Sequence, residues 1–237
     1  MPLLHSTPMQ KCRWHAYHSS SELEQAAAKA ILHAAALAIK LRGTFTIVLA
    51  GGTTPRKVYE LLREADADWA AWHVYFGDER CLPPADVERN SRMAAQAWLD
   101  HVAIPASQIH PIPAELGAVN AARSYEETLA AIDQFDLVLL GLGEDGHTAS
   151  LFPNHDCGST PDAPATLAVF DAPKPPAQRV SLSAHRLSAA RQVMFLVTGE
   201  AKRQAIHDWR KNMAIPAAAI VPPTGVDVYL EAGLQQG

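Results

Sequence analysis

The stretch Leu137–Val138–Leu139–Leu140–Gly141–Leu142–Gly143–Glu144–Asp145–Gly146–His147 decides how the chain reads. Four apolar residues in a row, without alternation, fit a strand covered on both faces, as in a parallel sheet. The run breaks directly into glycines and acids, so a polar turn stands at the carboxyl end of a core strand. Upstream, Val119 to Asp133 has helical periodicity and supplies the crossover that a parallel strand needs.

Outward from this unit the same alternation repeats. Ser21 and Glu24 have the spacing of a capping box for a long helix that ends near Gly43. A strand-like run, Thr44 to Ala50, meets Gly51-Gly52-Thr53-Thr54-Pro55 and a helix through about Glu64. A second run, His73 to Gly77, meets Asp78-Glu79-Arg80, followed by a helix over Asn90 to Leu99 and a short strand near Ile109. Beyond the central stretch, Val180 to Leu182 and Val193 to Val197 read as strands, with a helix over Glu200 to Lys211. Residues 154–178 are proline-rich and read as a long loop holding one strand, Thr166 to Phe170. The pattern predicts one α/β domain: an open, mostly parallel β-sheet flanked by helices. Ligands of such sheets sit at the carboxyl ends of the strands. The turns after Ala50, Phe76 and Leu140 should therefore converge on one crevice.

Bulk composition narrows the function. Of 237 residues, 48% are hydrophobic and 19% charged, which suits a folded core and not a disordered chain. A formal charge of −5, with no run of Lys or Arg, argues against a nucleic-acid partner. Cys12, Cys81 and Cys157 fit neither a disulfide framework nor a CxxC pair. The start, MPLLHSTPMQKCRWH, lacks the apolar centre of a signal peptide. Gln25 to Leu41 carries Lys29, His33 and Lys40, so it reads as a buried helix and not a membrane span. The expectation is a cytoplasmic protein with no membrane partner, compatible with a monomer or a weak homo-oligomer.

Gly51 to Pro55 joins a strand to a helix with proline at its start. Free N–H groups there favour an anion, and the threonines add hydroxyl donors; the plainer reading is an ordinary strand–helix turn. No GxxxxGK[ST] run exists, so ATP is not implied. Gly141 to Gly146 matches GxGxxG, but the chain reaches Pro153 too soon for the long helix a dinucleotide site requires. No cofactor is expected. His147 stands at a strand's carboxyl end, where a histidine can take a proton from water if a carboxylate fixes its tautomer. Asp145 or Asp78 would supply that carboxylate; a phosphate contact or a structural role are the alternatives. His147, His155, Asp156 and Cys157 lack any usual zinc spacing, so no metal is expected. Asp78-Glu79-Arg80 is a charge cluster whose bland reading is a solvated turn. A serine nucleophile is disfavoured, because GxSxG is absent.

Taken together, LAGGTTP at 49–55, GDER at 77–80 with Pro83 and Asn90, GLGEDGHTASLFP at 141–153, RVSLS at 179–183 and GEAK at 199–202 resemble the 6-phosphogluconolactonase family of the pentose phosphate pathway. The resemblance spans nearly the whole chain. It implies a Rossmann-like parallel sheet, shared with glucosamine-6-phosphate deaminases, and a sugar-phosphate substrate. It implies that His147 activates water, that Gly51, Gly52, Thr53, Thr54, Arg179 and Lys202 hold the phosphate, and that Asp78, Glu79, Arg80 and Asn90 shape the rest of the site. The oxyanion donor would be a backbone N–H of the Gly143–Gly146 turn or Arg80. One departure is Arg89, where the family often has serine before the asparagine. The deaminases share D-G-H but continue I-A-F-N-E-P, so Phe152 stands in the place of their glutamate. A non-catalytic sugar-phosphate sensor is the other alternative.

Overall fold

A computed structural model describes residues 10–235; the part of the N-terminal reading that falls on residues 1–9 lies outside them. In chain order the first half comprises β1 (Cys12–Tyr17), α1 (Ser20–Arg42), β2 (Phe45–Leu49), α2 (Thr53–Leu62), β3 (Trp72–Phe76), β4 (Asp78–Arg80), α3 (Asn90–Ala97) and β5 (Ile109–His110). The second half comprises α4 (Ala118–Leu129), β6 (Phe135–Gly141), β7 (Thr166–Val169), β8 (Arg179–Leu182), α5 (Ala184–Ser188), β9 (Ala190–Val197), α6 (Arg203–Arg210) and β10 (Val226–Glu231). Seven strands form one sheet in the order β1-β10-β9-β6-β2-β3-β5, and every neighbouring pair is parallel. The helices flank it, as the sequence pattern requires.

A second, three-stranded sheet, β4-β8-β7, is antiparallel. This sheet is not foreseen from the sequence. Asp78-Glu79-Arg80, read as a charged turn, is its first strand, and Val180 to Leu182 joins it and not the main sheet. β1 and β10 are also additions. Their chemistry is mixed: Asp227 of β10 accepts hydrogen bonds from Arg13 Nε and Nη2 of β1, both at 2.8 Å, and contacts the His15 ring at 2.8 Å.

The first helix opens two residues earlier than Ser21 predicts. Ser19 is its cap, accepting from Glu22 N, while the Glu22 carboxylate reaches back to His18 N. Ser19 and Glu22 have the same spacing as Ser21 and Glu24, and the earlier start places the fully buried Leu23 inside the first turn. Gly43 ends the helix in the left-handed region, as expected.

Two buried tyrosines fasten helices to the strand ends. Tyr59 of α2 donates to Ala50 O at 2.9 Å and accepts from Ala50 N at 3.0 Å. Tyr125 of α4 accepts from Phe76 N at 2.9 Å and donates to His110 O at 3.2 Å. Each satisfies backbone groups at a point where ladder pairing ends. Both thus fix the height at which the loops leave the sheet.

Candidate active site

From β2 the chain moves to β3 on one side, whereas from β6 it crosses to β9 on the other. The switch point between β2 and β6 therefore leaves a crevice at their carboxyl ends. A cleft of about 340 Å³ opens there. It brings together Gly51 and Gly52 after β2, Asp78 and Arg80 of β4, Asn90 of α3, Gly141 at the end of β6, and Gly143 and His147 after it. Arg179 of β8 and Lys202 after β9 complete the wall. The predicted convergence of the three strand ends is observed.

The turn after β6 closes on itself. Gly143 N donates to His147 O at 2.7 Å, and Gly146 N to Gly143 O at 3.1 Å. The His147 ring lies so close over Gly143 that a Cβ there would sit 2.0 Å from Nδ1. Asp145 settles which carboxylate meets the histidine. Its Oδ1 lies 2.5 Å from His147 Nδ1 and accepts His147 N at 3.1 Å. Partial burial raises the Asp145 carboxyl, but the backbone and ring hydrogen bonds from His147 outweigh this and hold it below its ordinary range. Held through Nδ1, the ring leaves Nε2 for chemistry. Phe152 packs against the ring with centroids 4.9 Å apart.

The turn after β2 stays open. Gly52 caps α2 without any side-chain hydrogen bond. Among the described residues, Gly51, Gly52 and Thr53 N–H groups have no protein acceptor. Gly51 leaves room for Asn90, since a Cβ would meet Asn90 Oδ1 at 2.0 Å. Thr53 and Thr54 do not line the cleft; Thr54 Oγ1 is instead 2.7 Å from Thr198 Oγ1.

Four cationic side chains line the cleft: Arg80, Lys174, Arg179 and Lys202. Burial lowers Lys202, with Glu144 opposing and Lys174 reinforcing the shift. Burial also lowers Arg179, which donates through Nε and Nη2 to the carbonyls of Pro176 and Lys174. Arg80 donates through Nη1 to Glu88 O, and its buried Nε has no hydrogen-bond partner among the described residues. Despite the acidic chain, the cleft suits an anion.

Glu79, expected to shape the site, is turned away from it. Its carboxylate is fully buried and accepts Asn90 N at 2.7 Å and Ser91 N at 2.8 Å, capping α3. Arg89 compensates that charge at 3.5 Å and donates to Glu115 Oε2 and Ile112 O. Arginine before Asn90 is thus part of a buried network, and Asn90 still donates to Asp78 Oδ1 at 2.9 Å. Lys174 was not legible from the sequence, because it lies in the irregular proline-rich segment without a motif. Ser150 was also missed. It donates to Asp78 Oδ2 at 2.6 Å, and only the fold shows that these two residues meet. Among the described residues, no three His, Cys, Asp or Glu side chains gather as a metal site, and no helix is long and apolar enough to cross a membrane.

The family pattern described as glucosamine-6-phosphate isomerases/6-phosphogluconolactonase matches residues 18–229. The chain belongs to this family. It is 38% identical over 205 residues to a 6-phosphogluconolactonase of Synechocystis sp., covering 81% of this chain and 84% of that one. It is 36% identical over 222 residues to the 6-phosphogluconolactonase of Mycobacterium tuberculosis, covering 86% and 90%. Among solved structures, 6-phosphogluconolactonase from Thermotoga maritima superimposes with a TM-score of 0.86 at 26% identity, covering 93% of this chain and all of that one. The enzyme from Trypanosoma cruzi gives 0.86 at 27% identity, covering 98% and 99%.

Proposed function

We propose that this chain hydrolyses 6-phospho-D-glucono-1,5-lactone to 6-phosphogluconate, with His147 as general base. The observation that carries this reading is the Asp145–His147 pair facing an anion-binding cleft, with an apolar Phe152 beside the ring. Deaminases have a glutamate in that place. A ring-opening amino-sugar reaction would lack its second acid here, whereas lactone hydrolysis needs none.

Lys202, Arg179 and the open N–H groups of Gly51 and Gly52 bind the phosphate, and Lys174 adds charge beside them. Asp78 accepts a sugar hydroxyl. His147 Nε2 takes a proton as water oxygen bonds to the lactone carbonyl carbon. Gly143 and Gly146 N–H are consumed inside their turn, which leaves the Glu144 and Asp145 N–H groups of that turn, or Arg80 of the cleft wall, to donate to the oxyanion. Collapse breaks the bond to the ring oxygen, which takes the proton back from His147. The carbonyl of a lactone is electrophilic enough that the scheme employs no metal and no covalent intermediate. We place the enzyme in the cytoplasm, where a charged sugar phosphate is retained.

Freshly made lactone provides the test, with uncatalysed opening subtracted at each pH. Turnover should survive dialysis against EDTA, and no ammonia should appear from glucosamine 6-phosphate. Faster deamination than lactone opening would reverse the assignment. Binding without turnover of either substrate would favour the sensor.

A further inference from the structure

We infer that Ser150 is a positioning residue that fixes Asp78 as the acceptor for a sugar hydroxyl; this rests on the lactonase reading above. Ser150 Oγ donates to Asp78 Oδ2 at 2.6 Å, and Asn90 Nδ2 donates to Oδ1 at 2.9 Å. The three residues are 1%, 6% and 5% exposed, so water does not compete freely for these bonds. Asp78 lines the cleft and Ser150 does not. The serine therefore acts through the aspartate.

The backbone delivers Ser150 to this position. Leu151 N donates to Thr148 O at 2.9 Å, closing a tight turn directly after His147. Ala149 in that turn has φ 47°, a left-handed conformation uncommon for alanine. Ser150 N then donates to Ser181 Oγ at 3.2 Å, and Ser181 sits opposite Asp78 in the β4–β8 register. Both donors of Ser150 thus engage the small sheet that carries Asp78. One residue fastens the histidine-bearing segment to the sugar-binding strand.

A carboxylate offers about four lone-pair sites. With one protein donor on each oxygen, Asp78 cannot rotate without breaking a buried bond, and its remaining lone pairs keep a fixed direction. A ligand hydroxyl has the donor that such an acceptor recognises.

The test is a cycle of Ser150→Ala, Asp78→Asn and the double variant, with Ser150→Cys as a near-isosteric control. Circular dichroism and Tm define the folded fraction. Ser150→Ala should raise KM for the phosphorylated lactone about tenfold, the low end for a hydrogen bond to a charged group. Its kcat should stay within about threefold, as loss of uniform binding requires. Ser150→Cys, a weaker donor of similar size, should fall between. In the Asp78→Asn background, Ser150→Ala should add less than about threefold, because its effect passes through the carboxylate. Wild-type KM in both serine variants, or a loss that adds in full to that of Asp78→Asn, overturns the clamp while leaving the lactonase reading intact. A wild type that fails to open the lactone overturns both.

Discussion

The turns after β2 and β6 are both glycine-rich, both leave a core strand of the same sheet, and both line one cleft, yet their backbones do opposite things. After β2, Gly51, Gly52 and Thr53 leave their N–H groups open at the start of the ten-residue helix α2. This is the arrangement that receives an anion. After β6, Gly143, Gly146 and His147 spend their N–H groups on the turn itself. That turn offers no donors of its own from these positions; it offers one rigid side chain. Glycine content alone does not separate the two. Where the backbone donors go does.

The largest effect should come from disturbing the closed turn. His147→Ala removes the base and should lower kcat by about 10²–10⁴-fold, with KM little changed. Gly143→Ala keeps the histidine but puts a methyl 2.0 Å from the present Nδ1 position. The ring must move, and a displacement of that order costs about 10²-fold. Measured kcat in Gly143→Ala near the wild-type value would show that the turn does not need to hold the ring as it does.

Disturbing the open side should act on binding instead. Lys202→Ala should cost about 10–150-fold in kcat/KM, the range for a hydrogen bond to a charged group, and mostly through KM. Unphosphorylated gluconolactone should be nearly indifferent to the change. Equal losses on both substrates would remove Lys202 from the phosphate site.

Particular residues show how far the sequence carries this comparison. The apolar run into Gly141 and the glycines after Ala50 make both turns legible, because strand burial and helix starts are local properties. Asp145 was a candidate because it lies two residues from His147, a spacing that a tight turn can close. Glu79 was misplaced because its partners, the Asn90 and Ser91 amides, lie on a helix that only tertiary folding brings back. The small sheet was hidden for a related reason. A three-residue strand of Asp, Glu and Arg has no periodicity, and its pairing with β8 spans about a hundred residues of chain. β1 and β10 were missed because Arg13, His15 and Asp227 interrupt their apolar pattern with polar groups that satisfy one another.

A smaller effect distinguishes hydroxyl from backbone in the open turn. Thr54 was expected to hold phosphate, but its hydroxyl pairs with Thr198. Thr54→Val should therefore change kcat/KM on the phosphorylated lactone by only about twofold, as for a side chain not engaged by ligand. A tenfold rise in KM restricted to the phosphorylated substrate would return the threonine to the phosphate site.

The smallest expected effect concerns acid stability, and it separates the turns without any substrate. Asp145 is held below its ordinary carboxylate range by His147 despite partial burial, so the folded state favours its charged form. A depressed folded pKa contributes stability above the unfolded value of about 3.9, and that contribution fades as pH falls through the folded value. The Asp145 side chain is 43% exposed, so solvent screens most of the gain. Asp145→Asn should lower Tm by about 1–2 °C at pH 7, the scale of a solvent-screened carboxylate interaction in a domain of this size. As pH falls below about 3.9 and through the depressed folded value, the difference from the wild type should shrink. The open turn contains no titratable carboxylate from Gly51 to Thr54, so Gly52→Ala should shift Tm by a similar amount across the same pH range. Parallel pH dependence in the two variants would mean that the Asp145 charge does not stabilise the closed turn, and that hydrogen-bond geometry alone holds His147.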